Sequence, residues 1–149
     1  MKTTHVGEVR KLVGRYLRDF NEKHGFEVGS SEEKLKKGYQ MEADARSKKI
    51  VFDPREITSI FNDPEFASQA GVSTIENFIK ILIAHEVGHI LDYNKNSFYF
   101  YNEGYSEVLE KNAWRIGEQY VEQDLKNEYD AFKDFSMDSY RRDNKFDKM

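Results

Sequence analysis

The chain has 149 residues, 38% hydrophobic and 34% charged, which suits one domain with a modest core and is too short for two independent cores. The formal net charge of -4 argues against general nucleic-acid binding, because neutralising phosphates requires a basic surface. The absence of cysteine excludes disulfide frameworks, cysteine-ligated zinc, iron–sulfur clusters and cysteine nucleophiles. Histidine is then the main remaining ligand for a borderline metal, and the chain has four: His5, His24, His85 and His89.

No segment of the sequence has the character of a signal peptide or a membrane span. Charged residues interrupt the apolar positions of residues 1–20, so an uncharged signal-peptide core is not expected. The longest apolar run, Ile81–Ala84, is far shorter than a membrane helix. We expect a cytoplasmic protein with no membrane partner and no nucleic acid as its primary ligand.

The first half of the chain predicts one helix followed by a small sheet. Apolar residues at helical spacing, ended by Gly25, predict a helix over residues 5–24. A small sheet of about three strands is predicted within residues 26–52. Its three candidate strands are Phe26–Val28, Gly38–Ala43 and Lys49–Phe52.

Two aspartate–proline pairs then connect the sheet to a second, helical half. Asp53-Pro54 and Asp63-Pro64 each suit an aspartate that caps a helix whose first residue is proline. These pairs therefore predict two short helices between the sheet and the rest of the chain.

The second half predicts two longer helices and a tail. The segment Ser73–Glu76 fits a capping box, and apolar residues at helical spacing extend a helix over residues 74–93. A long helix is predicted over residues 103–134, with Gly117 as the point where it could break. The charged residues 138–149 are predicted to fray. Residues 1–137 thus predict a single, mostly helical α+β domain.

The chemistry is concentrated in the segment His85-Glu86-Val87-Gly88-His89. Residues four apart on a helix share a face, so His85 and His89 can hold one metal ion while Glu86 reaches a water bound to it. On composition alone this H-E-x-x-H pattern would arise in roughly 1% of such chains. The alternative is a helix whose two histidines pair with nearby acids, and that arrangement would bury polar groups at a cost.

A catalytic zinc ion needs a third protein ligand and an open position for water. The metzincin extension requires Gly and His where this sequence has Asp92 and Lys95, so that branch is excluded. No histidine follows His89, and we expect the third ligand to be a glutamate of the next helix. The candidates there are Glu103, Glu107 and Glu110.

Helix geometry favours Glu110 among these three glutamates. If the two helices are antiparallel, the second must run for about six residues from Glu103 to reach the depth of the metal, at about 1.5 Å per residue. Glu107 suits the first helical turn and has Lys111 at i+4, and it is the second candidate. Glu103, Asp92, His5 and His24 complete the alternatives. Asp92 lies one turn after His89 and could instead orient a ligand.

The motif resembles the gluzincin pattern H-E-x-x-H…E-x-x-A, because His85–His89 is followed at a suitable distance by Glu110-Lys-Asn-Ala113. The segments Gly25–Val28, Gly38 and Lys49–Phe52 are similar to the small sheet ahead of the site helix in the ImmA/IrrE group of zinc endopeptidases. This resemblance covers roughly residues 25–120, and the segment 54–71 is longer than that group usually carries.

The resemblance implies a zincin-like fold with one Zn²⁺ ion held by His85, His89 and Glu110, and with Glu86 as the general base. Zinc would lower the pKa of its bound water, and Glu86 would pass the water proton to the leaving amine. Members of the group often cleave a repressor or another regulator, which implies a protein or peptide substrate. The non-enzymatic alternative is a zinc-binding regulatory or interaction module.

Hydrolysis of a peptide bond also requires a hydrogen-bond donor for the oxyanion of the tetrahedral intermediate. Tyrosine can supply this donor. Tyr93, Tyr101 and Tyr105 lie near enough to the motif in sequence to be candidates, and the sequence does not choose among them.

Overall fold

The computed structural model describes residues 4–96 and 106–147. They form a three-stranded sheet, a first helix and a group of later helices, as expected for an α+β fold. In chain order the elements are α1 (Val6–His24), β1 (Gly29–Glu32), β2 (Met41–Asp44), β3 (Lys49–Phe52), α2 (Pro54–Phe61), α3 (Pro64–Gln69), α4 (Ile75–Asn96), α5 (Ser106–Glu118), a 3-10 turn (Gln123–Leu125) and α6 (Lys126–Asp147).

The sheet has the strand order β1-β3-β2, with β1 parallel and β2 antiparallel to the central strand β3. Along β3, Ile50 and Phe52 are buried while Lys49 and Val51 are half-buried, which is the alternation of a strand with one face on the core. Strand β2 lies at an edge of the described sheet and packs against α4. The sheet therefore presents an edge strand to the helix that carries the histidine motif.

The first strand lies later in the chain than the sequence predicts. Residues 26–28 are not a strand, because the Asn21 side chain of α1 takes both backbone groups of Val28: it accepts from Val28 N at 3.1 Å and donates to Val28 O at 2.9 Å. Phe26 stacks on Phe20 of α1. The ladder with β3 begins only at Gly29.

The second strand is also displaced from its predicted range. The prediction of residues 38–43 was wrong at its start, since Gly38 has a φ of 93°, a left-handed conformation that glycine adopts readily in a turn. Strand β2 begins at Met41 and extends to Asp44. The predicted third strand, Lys49–Phe52, is confirmed.

Both aspartate–proline pairs begin helices as predicted. The Asp53 carboxylate accepts from Arg55 N and Glu56 N at the start of α2, and its other oxygen accepts from Leu35 N at 2.9 Å. The Asp63 carboxylate accepts from Glu65 N at the start of α3. Asp53 is buried, and it therefore ties the loop before β2 to the helix after β3.

The N-terminus of α4 is capped one residue later than the capping box predicts. Thr74 Oγ1 accepts from Asn77 N at 3.1 Å, whereas Ser73 is held by Glu128 of α6. The Glu128 carboxylate accepts from Ser73 N at 2.8 Å and from Ser73 Oγ at 2.9 Å. A contact between distant parts of the chain thus decides which hydroxyl caps the helix.

The long helix predicted over residues 103–134 is two helices within the described residues, α5 and α6. The chain leaves α5 after Glu118 and passes through the 3-10 turn, where Val121 and Leu125 are buried. This turn brings α6 back against α5, so that Tyr129 can donate to Trp114 O at 2.6 Å. The tail predicted from residue 138 continues as helix to Asp147, since neither glycine nor proline interrupts α6.

Helix α4 runs through the middle of the core. Every residue from Ile81 to Gly88 is buried, as expected for a helix that other elements cover on all sides. Large apolar side chains from the rest of the fold surround it, among them Val13, Ile50, Ile57, Phe66, Trp114, Tyr129 and Phe132. Within the described part of the chain, no helix is long and apolar enough to cross a membrane.

Two glycines allow α4 and α5 to approach each other closely. A Cβ atom at Gly88 of α4 would lie closer than 3.0 Å to the Ala113 carbonyl oxygen of α5. A Cβ at Gly117 of α5 would lie 2.5 Å from the Ala84 carbonyl oxygen of α4. Backbone therefore meets backbone along this interface, which leaves no room for a side chain.

We expect Gly88→Ala to destabilise the protein by about 1–3 kcal/mol or more, because the added methyl group overlaps a backbone carbonyl that can move only if the two helices shift apart. Gly14→Ala is the matched control, since Gly14 lies on α1 with open space around its Cα and alanine favours a helix by up to about 1 kcal/mol. Urea unfolding of both variants measures the effect. Equal stability of the two variants would contradict the close approach.

Candidate metal centre

The middle of α4 supplies three of the residues singled out in the sequence. His85 and Glu86 are buried, with 7% and 6% of their surface exposed, and His89 is half-buried. One helical turn separates the two imidazole rings, whose centroids are 4.8 Å apart. The spacing of four residues thus places both histidines on the face of α4 that meets α5.

Helix α5 places Glu110 opposite the two histidines. Glu110 Oε2 lies 3.0 Å from His85 Nε2, and Glu110 Oε1 lies 3.3 Å from His89 Nε2. One ligand atom from each of the three residues lies within 4.8 Å of the other two. Among the described residues, this cluster could hold a metal ion.

Metal ligands must be deprotonated, and in the metal-free protein His85 and Glu110 meet this requirement, whereas the pKa shift of His89 favours its protonated form. Burial lowers the pKa of His85 and outweighs the opposing effect of Glu110, so this imidazole is neutral. Burial would raise the pKa of Glu110, but hydrogen bonds from His85 and His89 lower it well below its usual value. At His89, burial would lower the pKa, but the hydrogen bond to Glu110 outweighs burial and raises the pKa.

The orientation of His85 also fits a metal ligand. Its ring stacks on Trp114, with centroids 4.0 Å apart and an angle of 23° between the planes. His85 Nε2 is the nitrogen that faces Glu110, while Nδ1 is buried without a hydrogen-bond partner among the described residues. Two imidazole nitrogens and one carboxylate form a donor set that suits Zn²⁺ and leaves a fourth position open.

Glu86 lies beside the cluster and is not one of its three ligands. Burial raises the pKa of Glu86 to about 8, helped by the charges of Glu110 and Glu42, while His89 and a hydrogen bond from Ala43 N oppose the rise. A carboxyl group whose pKa lies near neutrality can both accept and release a proton, which suits a general base.

Asp92 and Glu107, the alternative ligands considered from the sequence, lie outside the three-residue cluster. Asp92 is fully buried and accepts from Asn112 Nδ2 of α5 at 3.3 Å. Its charge raises the pKa of His89. Glu107 is partly exposed, and its carboxylate forms an ion pair with Lys111 at 3.9 Å. The sequence analysis singled out Asp92 as a candidate residue of the site, but it did not identify Asn112 as its partner. A buried carboxylate usually has a hydrogen-bond donor, and this rule was the one signal that could have prompted a search for it.

The remaining candidates lie elsewhere or beyond the described residues. His5 is exposed, and His24 belongs to an aromatic cluster with Phe20, Phe26 and Tyr120. Tyr93 lies on α4 one turn after His89 and is half-buried. Tyr101, Tyr105 and Glu103 fall outside the described residues.

Comparisons of this chain with protein-family models, with curated proteins and with solved structures find no match. The assignment of function therefore depends on the geometry of His85, His89 and Glu110 and on the position of Glu86 beside them.

We expect Glu110→Ala to weaken metal binding by more than about 100-fold, since removing even an outer partner of a ligand costs 10–100-fold. Glu107→Ala is the matched control, because it removes a carboxylate from the same helix, and it should leave the metal content unchanged. Elemental analysis of the purified proteins measures the difference. Loss of metal from the Glu107 variant alone would exclude Glu110 as the ligand.

The raised pKa of Glu86 predicts a pH-dependent stability in the metal-free protein. The protonated form is favoured on folding, so its contribution is complete below the ordinary pKa of 4.5 and is lost as the pH rises toward about 8. Glu86→Gln removes this loss. In EDTA, we expect the variant to exceed the wild type in unfolding free energy at pH 8.5 by a few kcal/mol, and by much less at pH 5. A pH-independent difference in urea unfolding would contradict the raised pKa.

Proposed function

We propose that this protein is a zinc-dependent metallopeptidase. The observation that carries the proposal is the position of Glu86, a buried carboxyl next to a His-His-Glu cluster of which it is not a member. A site that only stabilised the fold would gain nothing from a further carboxyl buried beside it at a cost in desolvation. A hydrolytic site needs one as a base.

Zinc held by His85, His89 and Glu110 would supply Lewis-acid chemistry, which activates water and polarises a carbonyl group. Glu86 then accepts a proton from the attacking water and gives it to the nitrogen of the leaving amine. Asp92, whose charge adds to the larger effect of Glu110 on the pKa of His89, is the candidate for a residue that orients this ligand.

The edge strand β2 supports a peptide as the substrate. Asp53 N donates to Gln40 O, and in an antiparallel pair such bonded positions alternate with unbonded ones. The register pairs Met41 with Phe52 and Ala43 with Ile50, so the backbone groups of Met41 and Ala43 point away from β3. No described strand covers this outer edge.

The outer edge of β2 also lies near the proposed base, because the Ala43 backbone is close enough to Glu86 to lower the pKa of its carboxyl against the larger effect of burial. An extended peptide that added to this edge would gain backbone hydrogen bonds and would pass close to Glu86. The arrangement favours binding along a segment within a longer chain over binding of a chain end, and hence an endopeptidase.

The resemblance to the ImmA/IrrE endopeptidases supports a more specific role. It suggests that the substrate is a regulatory protein such as a repressor and that a tyrosine stabilises the oxyanion. Tyr93 is the candidate within the described residues, while Tyr101 and Tyr105 remain candidates from the sequence alone. The alternative function is a zinc-binding regulatory module that does not cleave peptides.

We expect Glu86→Gln to keep stoichiometric zinc and to lose cleavage by about 100-fold or more, because a positioned base contributes about 10²–10⁴-fold. Wild type and variant are each co-expressed with the products of neighbouring genes, and mass spectrometry identifies a protein that is shortened only by the wild type. Elemental analysis of the same preparations reports the zinc content.

Glu107→Gln is the matched control for this experiment, because it removes a carboxylate charge from α5 without touching the cluster, and it should cleave like the wild type. Cleavage by Glu86→Gln at the wild-type rate would contradict the mechanism. Zinc retention by both proteins with no product from either would favour the regulatory module.

A further inference from the structure

A cavity of about 380 Å³ lies between α1, α4 and the turn that joins α5 to α6. Its volume is in the range of small-molecule sites. Ile83 and Lys80 line it from α4, and at 100° per residue these positions point away from His85 and His89. The cavity is therefore separate from the metal centre, on the other side of the same helix.

Four aromatic rings form one part of the wall of this α1–α4 cavity, beside a larger number of charged side chains. Tyr16, Phe20 and His24 line it from α1, and Tyr120 lines it from the turn after α5. The ring of His24 meets Tyr120 nearly edge-on at 5.1 Å between centroids, and Phe20 lies 6.0 Å from Tyr120. All four side chains are half-buried, so part of each ring remains available for contact with a planar ligand.

Two cations in the cavity form no close ion pair, although the charge of Lys80 acts on the nearby carboxylate of Glu122. Lys80 Nζ lies 4.9 Å and Arg15 Cζ 5.8 Å from the centroid of the Tyr16 ring, and neither residue forms an ion pair within the part of the chain that the structure describes. The third cation, Lys23, is already paired with Glu122 at 2.9 Å. An anionic group bound beside Tyr16 would lie near both cations, because each of them is close to that ring.

The remaining acids of the cavity indicate what else a ligand would carry. Asp19 and Asp124 are exposed on its lining and form no ion pair among the described residues. Carboxylates at such positions accept hydrogen bonds from hydroxyl or amino groups. The lining thus combines aromatic surface, an anion position and hydrogen-bond acceptors.

We propose that the α1–α4 cavity binds a small molecule that joins a planar aromatic ring to a phosphate or carboxylate group. The ring stacks among Tyr16, Phe20 and Tyr120, and the anion lies between Lys80 and Arg15. This site does not depend on the proposed peptidase activity, because the metal centre lies on the opposite face of α4.

Isothermal titration calorimetry of the full chain with two probes tests the proposal. AMP carries the anion as phosphate and indole-3-acetate carries it as carboxylate, so the pair distinguishes the two anions. We expect at least one of them to bind with a Kd below about 1 mM. Adenosine has the ring alone and inorganic phosphate has the anion alone. Each should bind at least about ten-fold more weakly than the complete probe.

Variants assign the binding to the cavity. Arg15→Gln and Lys80→Gln should each raise the Kd of the probe by about ten-fold or more, since a hydrogen bond to a charged group is lost. Arg18→Gln is the matched control, because Arg18 is an exposed arginine of α1 outside the cavity lining, and it should leave the Kd unchanged. Absence of binding by both probes overturns the proposal, as does unchanged binding in the Arg15 and Lys80 variants. All three residues are exposed, so the variants should fold.

Discussion

The close approach of α4 and α5 is the constraint on which the metal centre depends. Backbone contacts backbone where Gly88 meets Ala113 and where Gly117 meets Ala84, so the two helices have little freedom to slide past each other. This packing fixes the height at which Glu110 faces the histidine pair. A carboxylate side chain can reach both imidazoles only at that height, and the site is therefore a property of the interface between the helices.

The same interface explains how polar groups are tolerated inside the core. His85 and Glu86 are buried, and burial of such groups is costly unless each has a partner. Glu110 supplies one for both imidazoles, while Asn112 on the same helix supplies one for Asp92. Trp114 covers the face of His85. One helix, α5, thus satisfies most of the polar groups that α4 carries into the core.

Local signals in the sequence predicted the elements that depend on nearby residues. Both Asp-Pro helices and strand β3 are of this kind, as is the proximity of Glu110 to the motif, which follows from helical rise once the two helices are taken to be antiparallel. Side-chain contacts that no local motif signals decided the rest. Asn21 holds Val28 out of the sheet, and Glu128 takes Ser73 away from the cap of α4. Neither pairing leaves a periodic pattern in the sequence, so neither could be predicted from it.

The position of Glu86 connects the metal centre to the sheet. The Ala43 backbone of β2 lies close enough to the carboxyl of Glu86 to oppose the rise in pKa that burial causes, because Ala43 occupies an outward position in the register with β3. A shift of β2 by one residue would turn the Ala43 N–H toward β3 and move every side chain of the strand to the opposite face. The register of an edge strand therefore decides which backbone group faces the proposed base, and a peptide bound along that edge would lie near the same carboxyl.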